Sequence, residues 1–237
     1  MEYFKKNTVD PNKFIINDVI GDNACFYRSL GLYVYFATPY KEMNKVKRFY
    51  KWGQYKNVEQ VNTYLPKSST NLEELARFLQ TKIVDYIENN ENEIIPETSM
   101  TIKQTIEIVH NISFEEYLSY YDVFAGDIDL DMLDEETYFE RWGSIVEQYA
   151  ISKIIKCPII VYNTQKWDTR YNKIVNGKVI KNKPEKGVRL KVTSILGKEY
   201  INKKIPICLI WREYNKNGHY LVCYPKNPTN NLDDYIY

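Results

Sequence analysis

Apolar positions recur with helical spacing in two long stretches of the chain. The stronger helix is predicted over residues 71–90, where Asn71 and Glu74 have the spacing of a capping box. Its apolar side consists of Leu72, Leu75, Ala76, Leu79, Ile83, Tyr86 and Ile87. A second helix is predicted to start around Cys25 and to bury a stripe of Phe26, Leu30, Tyr33, Val34 and Ala37. Residues 91–112 have no clear period and are expected to form a loop with one short element.

Short apolar runs predict strands around these helices. One strand covers residues 13–20 and leads into the Cys25 helix. Residues 205–211 and the alternating run that starts at His219 are separated by a turn signal and predict a hairpin. The order of elements indicates a mixed α/β layout, and no repeat or linker divides the chain, so we expect one domain over residues 1–237.

Composition narrows the functional classes. The 237 residues carry a net charge of +1, which gives no overall argument for binding nucleic acid or a membrane surface. A basic, aromatic segment at residues 41–56 could contact nucleic acid, but a solvated helix face is the favoured interpretation. The N-terminus lacks an apolar signal core and no run reaches membrane-spanning length, so a cytoplasmic protein is expected. Enrichment in Asn, Lys, Ile and Tyr suggests an AT-rich genome, such as that of a large DNA virus, an intracellular bacterium or a protozoan.

The first candidate for chemistry is Cys25. Asp22, preceded by Gly21, has the residue type and position of a helix N-cap, which would put Cys25 in the first helical turn. There the positive end of the helix dipole favours a thiolate over a thiol. The alternative is a buried structural cysteine on a capped helix. The four cysteines have no C-x-x-C spacing and the histidines are not clustered, so a zinc site is not expected.

The candidate base lies near the other end of the chain. The sequence has two histidines, and His110 has no chemical partner nearby in sequence. His219 follows the turn signal and opens a predicted strand. A cysteine early on a helix and a histidine late on a strand, which meet only in the folded protein, are typical of cysteine proteases.

These residues resemble the motifs of the ovarian tumour (OTU) domain cysteine proteases, which are deubiquitinases. The family's first motif is Asp-Gly-Asn-Cys with an apolar or aromatic pair, Arg and a small residue, and the matching residues are Asp22, Cys25, Phe26, Tyr27, Arg28 and Ser29. A helix like the family's second block covers residues 83–89. The Trp-Gly block is matched by Trp142, Gly143, Glu147, Ala150 and the run 158–162, and the final His-Tyr by His219 and Tyr220. The motifs occur in family order over about residues 13–225.

The resemblance implies a papain-like α/β (α+β) fold, in which helices flank a small central, mostly antiparallel sheet. It implies hydrolysis of the peptide or isopeptide bond after the terminal glycine of ubiquitin or a ubiquitin-like modifier, without a cofactor or metal. Cys25 would be the nucleophile and His219 the base, and Asn23 and Ala24 would lie in the loop that holds the oxyanion. Asp22 is carried over as the motif's acidic residue, with helix capping as its alternative role.

Two departures from the motifs leave a rival interpretation open. Asn23 and Ala24 replace Gly and Asn, and Leu221 occupies the position where many family members orient the histidine with Asp or Asn. Asn217, two residues before His219 on the same strand face, or Asp18 would have to take that role, although a turn residue beside Gly218 with no catalytic role is the favoured interpretation of Asn217. The rival is an OTU-fold module that binds ubiquitin or acts as a scaffold with weak or no catalysis.

Charge is unevenly distributed along the chain. Acidic residues at 127–140 begin with Asp127, Asp129 and Asp131, which would attract the arginine-bearing tail of ubiquitin, although a solvated loop is the simpler interpretation. Residues 166–191 are basic and include Asn176-Gly177, which predicts a hairpin between residues 171–175 and 178–180.

Overall fold

A six-stranded, mostly antiparallel sheet forms the centre of the protein. The computed structural model describes residues 8–17, 19, 24–37, 72–119, 143–163, 173–175, 178–180, 189–214 and 217–236. The sheet strands are β1 (Thr8–Val9), β2 (Phe14–Asn17), β5 (Ile159–Asn163), β8 (Leu190–Leu196), β9 (Ile207–Tyr214) and β10 (Asn217–Pro225). They follow the spatial order β1-β8-β5-β9-β10-β2, and only β5 and β9 pair in parallel.

Two small hairpins lie outside this sheet. One pairs β3 (Ile94–Ile95) with β4 (Met100–Thr101), and the other pairs β6 (Lys173–Val175) with β7 (Lys178–Ile180). The second hairpin is the one predicted from Asn176-Gly177, and that prediction is confirmed.

Helices cover the sheet in layers. Those in the described residues are α1 (Cys25–Ala37), α2 (Leu72–Asn89), α3 (Ile102–His110), α4 (Phe114–Ser119), α5 (Ile145–Ile155) and α6 (Asp233–Ile236). Helix α1 packs on β9 and β10, α5 packs on β5 and β8, and α2 packs on both α1 and α5. The sheet is anchored to α6 by the hydroxyl of Tyr162, which donates to the carbonyl of Tyr235 at 2.9 Å. Among the described residues, no helix has both the length and the apolarity needed to span a bilayer.

Most predicted elements are confirmed. The α+β class and the mostly antiparallel sheet flanked by helices agree with the observed order of strands and helices. The helix predicted over 71–90 is α2, and Ala76, Leu79, Ile83 and Ile87 are buried along it. The run 158–162, which the resemblance matches to a strand, is β5, and the predicted hairpin before His219 is formed by β9 and β10. The segment 41–56 lies outside the described residues.

The prediction for residues 91–112 is wrong. This segment forms β3, β4 and the nine-residue helix α3 rather than a loop with one short element. Thr101 and Gln104 form a capping box at the start of α3, and Ile102 and Ile106 are buried at helical spacing. Ile108 and Val109 are exposed on the outer side, which blurred the apolar period in the sequence.

Candidate active site

Cys25 is the first residue of α1. The backbone N–H of Arg28 donates to the carbonyl of Ala24 at 2.9 Å, and Asp22, the predicted N-cap, lies outside the described residues. The predicted first-turn position of Cys25 is confirmed. At this position the N–H of Cys25 has no acceptor within the helix, and the dipole places positive potential beside the thiol. The thiol itself is buried, with 1% of the residue exposed.

Strand β10 brings the second half of the site to Cys25. The backbone N–H of Tyr220 donates to Cys25 Sγ at 3.4 Å. His219 is the preceding residue, and the straight-line distance from that nitrogen to His219 Cα is about 2.4 Å, so His219 Cα lies within about 5.8 Å of Sγ. His219 pairs with Arg212 on β9 and is 9% exposed. Cys25 and the start of β10 therefore meet in the folded protein.

Tyr220 is held at both of its ends. Its carbonyl accepts a hydrogen bond from Ser29 Oγ at 3.3 Å, and its hydroxyl donates to the carbonyl of Gly143 at 2.5 Å. Gln148 Nε2 donates to the same hydroxyl at 2.9 Å. Burial is the main cause that raises the pKa of the Tyr220 hydroxyl, and the nearby Cys25 adds to it, so the hydroxyl stays protonated at neutral pH.

Aromatic rings enclose this contact. The ring centroid of Tyr220 lies 5.1 Å from that of Phe26 and 4.9 Å from that of Trp211. Gly143 is packed against Phe26 so closely that a Cβ on Gly143 would lie 2.1 Å from Phe26 Cγ. The Gly143 position therefore has room only for glycine while Phe26 keeps its place.

Glu147, part of the Trp-Gly block, has a structural role in the observed contacts. Its carboxylate accepts hydrogen bonds from the N–H and the hydroxyl of Ser144, which completes the capping box of α5. It also accepts a hydrogen bond from the hydroxyl of Tyr117 on α4. These bonds fix the start of α5, which carries Gln148 to Tyr220.

The other cysteines differ from Cys25 in position. All four are free thiols. Burial raises the pKa of Cys208 and of Cys223, and both lie within sheet strands. Burial also raises the pKa of the half-buried Cys157, against the opposing effect of Lys204. In the described ranges, no group of three or more His, Cys, Asp or Glu side chains could hold a metal ion.

The remaining predicted residues are placed only in part. Asp22, Asn23, Asp18, Asp127, Asp129 and Asp131 lie outside the described residues. Asn217 belongs to β10 and its backbone pairs with Tyr214. Leu221 is buried and pairs with Ile210, and His110 ends α3 with its ring centroid 5.3 Å from that of Tyr117.

Sequence reasoning missed Ser29, Gln148 and Ser194 as partners around Tyr220. Ser29 was named only as the small residue of a motif, although it lies one helical turn after Cys25 and so shares its face of α1. Gln148 bridges Tyr220 to β8, because its Oε1 accepts from Ser194 Oγ at 3.3 Å. No sequence signal links Ser194 to the site, since its contact depends on how β8 and α5 pack.

Comparison with known proteins gives matches among solved structures only. The OTU domain of OTUD1 matches at 12% identity and a TM-score of 0.39, covering 94% of this chain and 90% of that domain. An OTU deubiquitinase from Wolbachia pipientis wMel, solved bound to ubiquitin, matches at 12% identity and a TM-score of 0.37, covering 92% of this chain and 100% of that one. No protein-family model and no curated protein sequence matches. Both structures are OTU domains, the family that the sequence motifs resemble; at this similarity, function has to be argued from the side chains of this chain.

Proposed function

We propose that this protein is an OTU-type cysteine deubiquitinase that hydrolyses the bond after the terminal glycine of ubiquitin or a ubiquitin-like modifier. The observation that carries the proposal is the 3.4 Å hydrogen bond from the N–H of Tyr220 to Cys25 Sγ. It joins the N-terminal turn of α1 to the strand that begins beside His219, so a candidate nucleophile and a candidate base are neighbours. No cofactor or metal is required by this chemistry.

The reaction would proceed through an acyl-enzyme. His219 takes the thiol proton of Cys25, and Sγ attacks the carbonyl carbon of the terminal glycine. Negative charge then develops on the carbonyl oxygen, and the backbone N–H groups of the loop formed by Asp22, Asn23, Ala24 and Cys25 are the candidate donors to it. The imidazolium returns its proton to the leaving lysine amine, and water, deprotonated by His219, releases ubiquitin from Sγ.

Orientation of the His219 ring is proposed to come from Asn217. Residues two apart on a strand share a face, so Asn217, His219 and Leu221 follow one another on one side of β10. Leu221 cannot accept a hydrogen bond from imidazole, whereas the amide oxygen of Asn217 can. Asp18, which precedes the Cys25 loop in sequence, is the alternative acceptor.

Substrate recognition is proposed to use the acidic segment. The tail of ubiquitin carries arginines, and carboxylates at Asp127, Asp129 and Asp131 would bind them with charge-assisted hydrogen bonds. Ubiquitin or polyubiquitin is accordingly the proposed partner, in the cytoplasm, or in the host cytoplasm if the protein belongs to a virus or a bacterium.

A second candidate function is ubiquitin binding without turnover. The burial of Cys25 favours it, because a substrate carbonyl has to reach a thiol of which only 1% of the residue is exposed. The leucine at position 221 favours it as well, because it removes the usual orienting group of the histidine.

A ubiquitin derivative with an electrophilic C-terminus separates the two candidates. The enzyme is expected to form a covalent adduct at Cys25, and Cys25→Ala should abolish the adduct while retaining noncovalent affinity for ubiquitin. Cys157→Ala is the matched control, since it removes a cysteine that is more exposed than Cys25 and lies after α5. Binding without any adduct would favour the non-catalytic module. If the adduct forms, a panel of diubiquitins will define which linkage the enzyme cleaves.

A further inference from the structure

The backbone N–H and C=O of Tyr220 lie at an edge of β10, before the first residue of β10 that pairs with β2. The pairing of β2 with β10 runs from Val222 to Pro225. Alternate N–H groups of a strand point to the same side, so the N–H of Tyr220 faces the side that β2 occupies two residues later. There the N–H donates to Cys25 Sγ at 3.4 Å and the carbonyl accepts from Ser29 Oγ at 3.3 Å. The side chains of Cys25 and Ser29, one turn apart on α1, thus form the hydrogen bonds to Tyr220 that a neighbouring strand would otherwise form.

The other end of Tyr220 is fixed independently. Its hydroxyl is bonded to the carbonyl of Gly143 and to Gln148 Nε2, and Gln148 is in turn bonded to Ser194. All of these contacts are buried or partly buried, so water does not compete freely for them. The Tyr220 residue is therefore held at its backbone and at its hydroxyl, and its N–H has little freedom to turn away from the sulfur.

We propose that Ser29 is a positioning residue for Cys25: by holding the Tyr220 carbonyl, which belongs to the following peptide group, it fixes the backbone torsions of Tyr220 and so keeps the Tyr220 N–H directed at Sγ. The inference rests on the proposed cysteine chemistry. When His219 takes the thiol proton, negative charge develops on Sγ, and a donor that is already in place stabilises that charge. Ser29 touches no reacting atom and transfers no proton. Gln148 supports the same arrangement from the hydroxyl end.

Alkylation of Cys25 by iodoacetamide tests this without ubiquitin, because it measures thiolate reactivity alone. The adduct on the Cys25 peptide is quantified by mass spectrometry in the full-length protein at about pH 6.5 and about pH 9, below and above the usual range of thiol ionisation. In Ser29→Ala, the alkylation rate at about pH 6.5 divided by the alkylation rate at about pH 9 should fall about fivefold relative to wild type, because the hydrogen bond to the thiolate is weakened. With a fluorogenic ubiquitin substrate, kcat should fall by a similar factor while KM changes less than about twofold.

Ser152→Ala is the matched control. Ser152 is equally buried and its hydroxyl donates to a backbone carbonyl, that of Tyr149, at 2.7 Å within α5. This variant should keep the wild-type alkylation ratio and kcat. Ser29→Thr, which retains the hydroxyl, should restore both quantities toward wild type.

An unchanged alkylation ratio in a folded Ser29→Ala protein would overturn the inference. If Ser29→Ala does not fold, Ser29→Cys, which replaces the hydroxyl with a much weaker donor, takes its place, and a wild-type alkylation ratio there would overturn the inference equally. The new thiol lies in a different tryptic peptide from Cys25, because Arg28 separates them.

A different result would reject the proposed function. Cys25 of the wild-type protein would then react with iodoacetamide at a pH-dependent rate but would form no adduct with the ubiquitin probe. If the wild-type enzyme cleaves ubiquitin and Ser29→Ala has the same kcat and the same alkylation ratio, the positioning role of Ser29 is rejected while the proposed function stands.

Discussion

The ring of Phe26 occupies the space where a side chain at Gly143 would lie. Phe26 follows the candidate nucleophile directly, and Gly143 supplies the carbonyl that accepts from Tyr220. The close packing of the two residues thus ties α1, the segment before α5 and β10 into one arrangement.

Gly143→Ala should therefore destabilise the protein and reduce its activity together. The added Cβ would lie 2.1 Å from Phe26 Cγ, and Phe26 is fully buried and cannot move aside. Overpacking of this kind costs about 1–3 kcal/mol or more in free energy of unfolding, which urea denaturation measures. Adding Phe26→Leu to Gly143→Ala should recover part of the loss, because it removes the ring; a double variant no more stable than Gly143→Ala would show that the clash is not the cause.

Substitution of the proposed nucleophile and base should abolish turnover. Cys25→Ala removes the attacking atom, and His219→Ala should lower kcat by at least about a thousandfold, as for other members of catalytic triads. His110→Ala should stay within about threefold of wild type, because His110 ends α3 and packs on Tyr117. Cleavage of a fluorogenic ubiquitin substrate provides the measurement, and comparable losses at His110 and His219 would reject the assignment of the base.

The proposed orienting residue can be tested by loss and rescue. Asn217→Ala should slow turnover by about tenfold to a hundredfold. This is less than the roughly 10⁴-fold loss in a serine protease whose orienting residue no longer holds the histidine in the correct tautomer. A thiolate–imidazolium pair holds part of its own geometry, which explains the smaller effect. Adding Leu221→Asn should restore part of the rate.

Leu221 is buried, so thermal unfolding of the Leu221→Asn variant has to be recorded beside its activity. Full activity in Asn217→Ala would exclude Asn217 as the orienting residue. A matching loss in Asp18→Ala would then assign the role to Asp18.

The acidic segment should affect binding more than chemistry. Combined Asp127→Asn, Asp129→Asn and Asp131→Asn should raise KM for a ubiquitin substrate by about threefold to tenfold and weaken the salt dependence of kcat/KM. The control neutralises three acidic residues on and just after α2, with Asp85→Asn, Glu88→Gln and Glu91→Gln. If both triple variants have the same kinetics at low salt, the segment 127–140 does not contribute to binding and is interpreted as a solvated loop.

Alkaline pH should destabilise the fold through buried tyrosines. Burial and a hydrogen bond to Glu93 raise the pKa of Tyr149 to about 12, and burial raises the pKa of Tyr235 to about 12 against the opposing hydrogen bonds of Thr229. Because the folded pKa exceeds the unfolded value of about 10, the stabilisation is complete below about pH 10 and is lost as the pH rises toward about 12. The free energy of unfolding in urea, followed from about pH 8 upward, should fall across this window.

Tyr149→Phe is the corresponding control, since it removes one of the titrating groups and the bond to Glu93. The decline in stability above about pH 10 should be shallower in this variant. A decline as steep as in the wild type would mean that Tyr149 does not contribute to it.

The sequence predicted those parts of the fold that depend on local patterns. The β9–β10 hairpin was recognisable because a polar turn separates two apolar runs, and α2 because its apolar face repeats over four turns. Helix α3 was missed because it is short and exposes Ile108 and Val109. Strand β8 gave little signal, because Leu190 and Leu196 are buried at its ends while the residues between them are partly exposed.

For the candidate site, the sequence predicted which residue types take part but not which side chains contact one another. The positions of Cys25 and His219 on their elements followed from capping and turn signals, although the predicted cap, Asp22, lies outside the described residues. The contacts of Ser29 and Gln148 with Tyr220 join α1, α5 and β10 across 191 and 72 positions of sequence. Contacts at such separation arise from the packing of the complete domain and leave no periodic trace in the sequence.

The bond between Tyr220 and Cys25 also has a consequence for synthesis of the protein. Its partners are 195 positions apart, and the strand that carries the donor is the last strand of the sheet to be translated. A nascent chain that has completed α1, α2 and α5 still lacks this donor and His219, and it gains both only when β10 emerges from the ribosome and pairs with β9 and β2. Under the proposed function, proteolytic competence would therefore appear abruptly once β10 has been synthesised, and premature termination before β10 would release a product with the nucleophile but no activity.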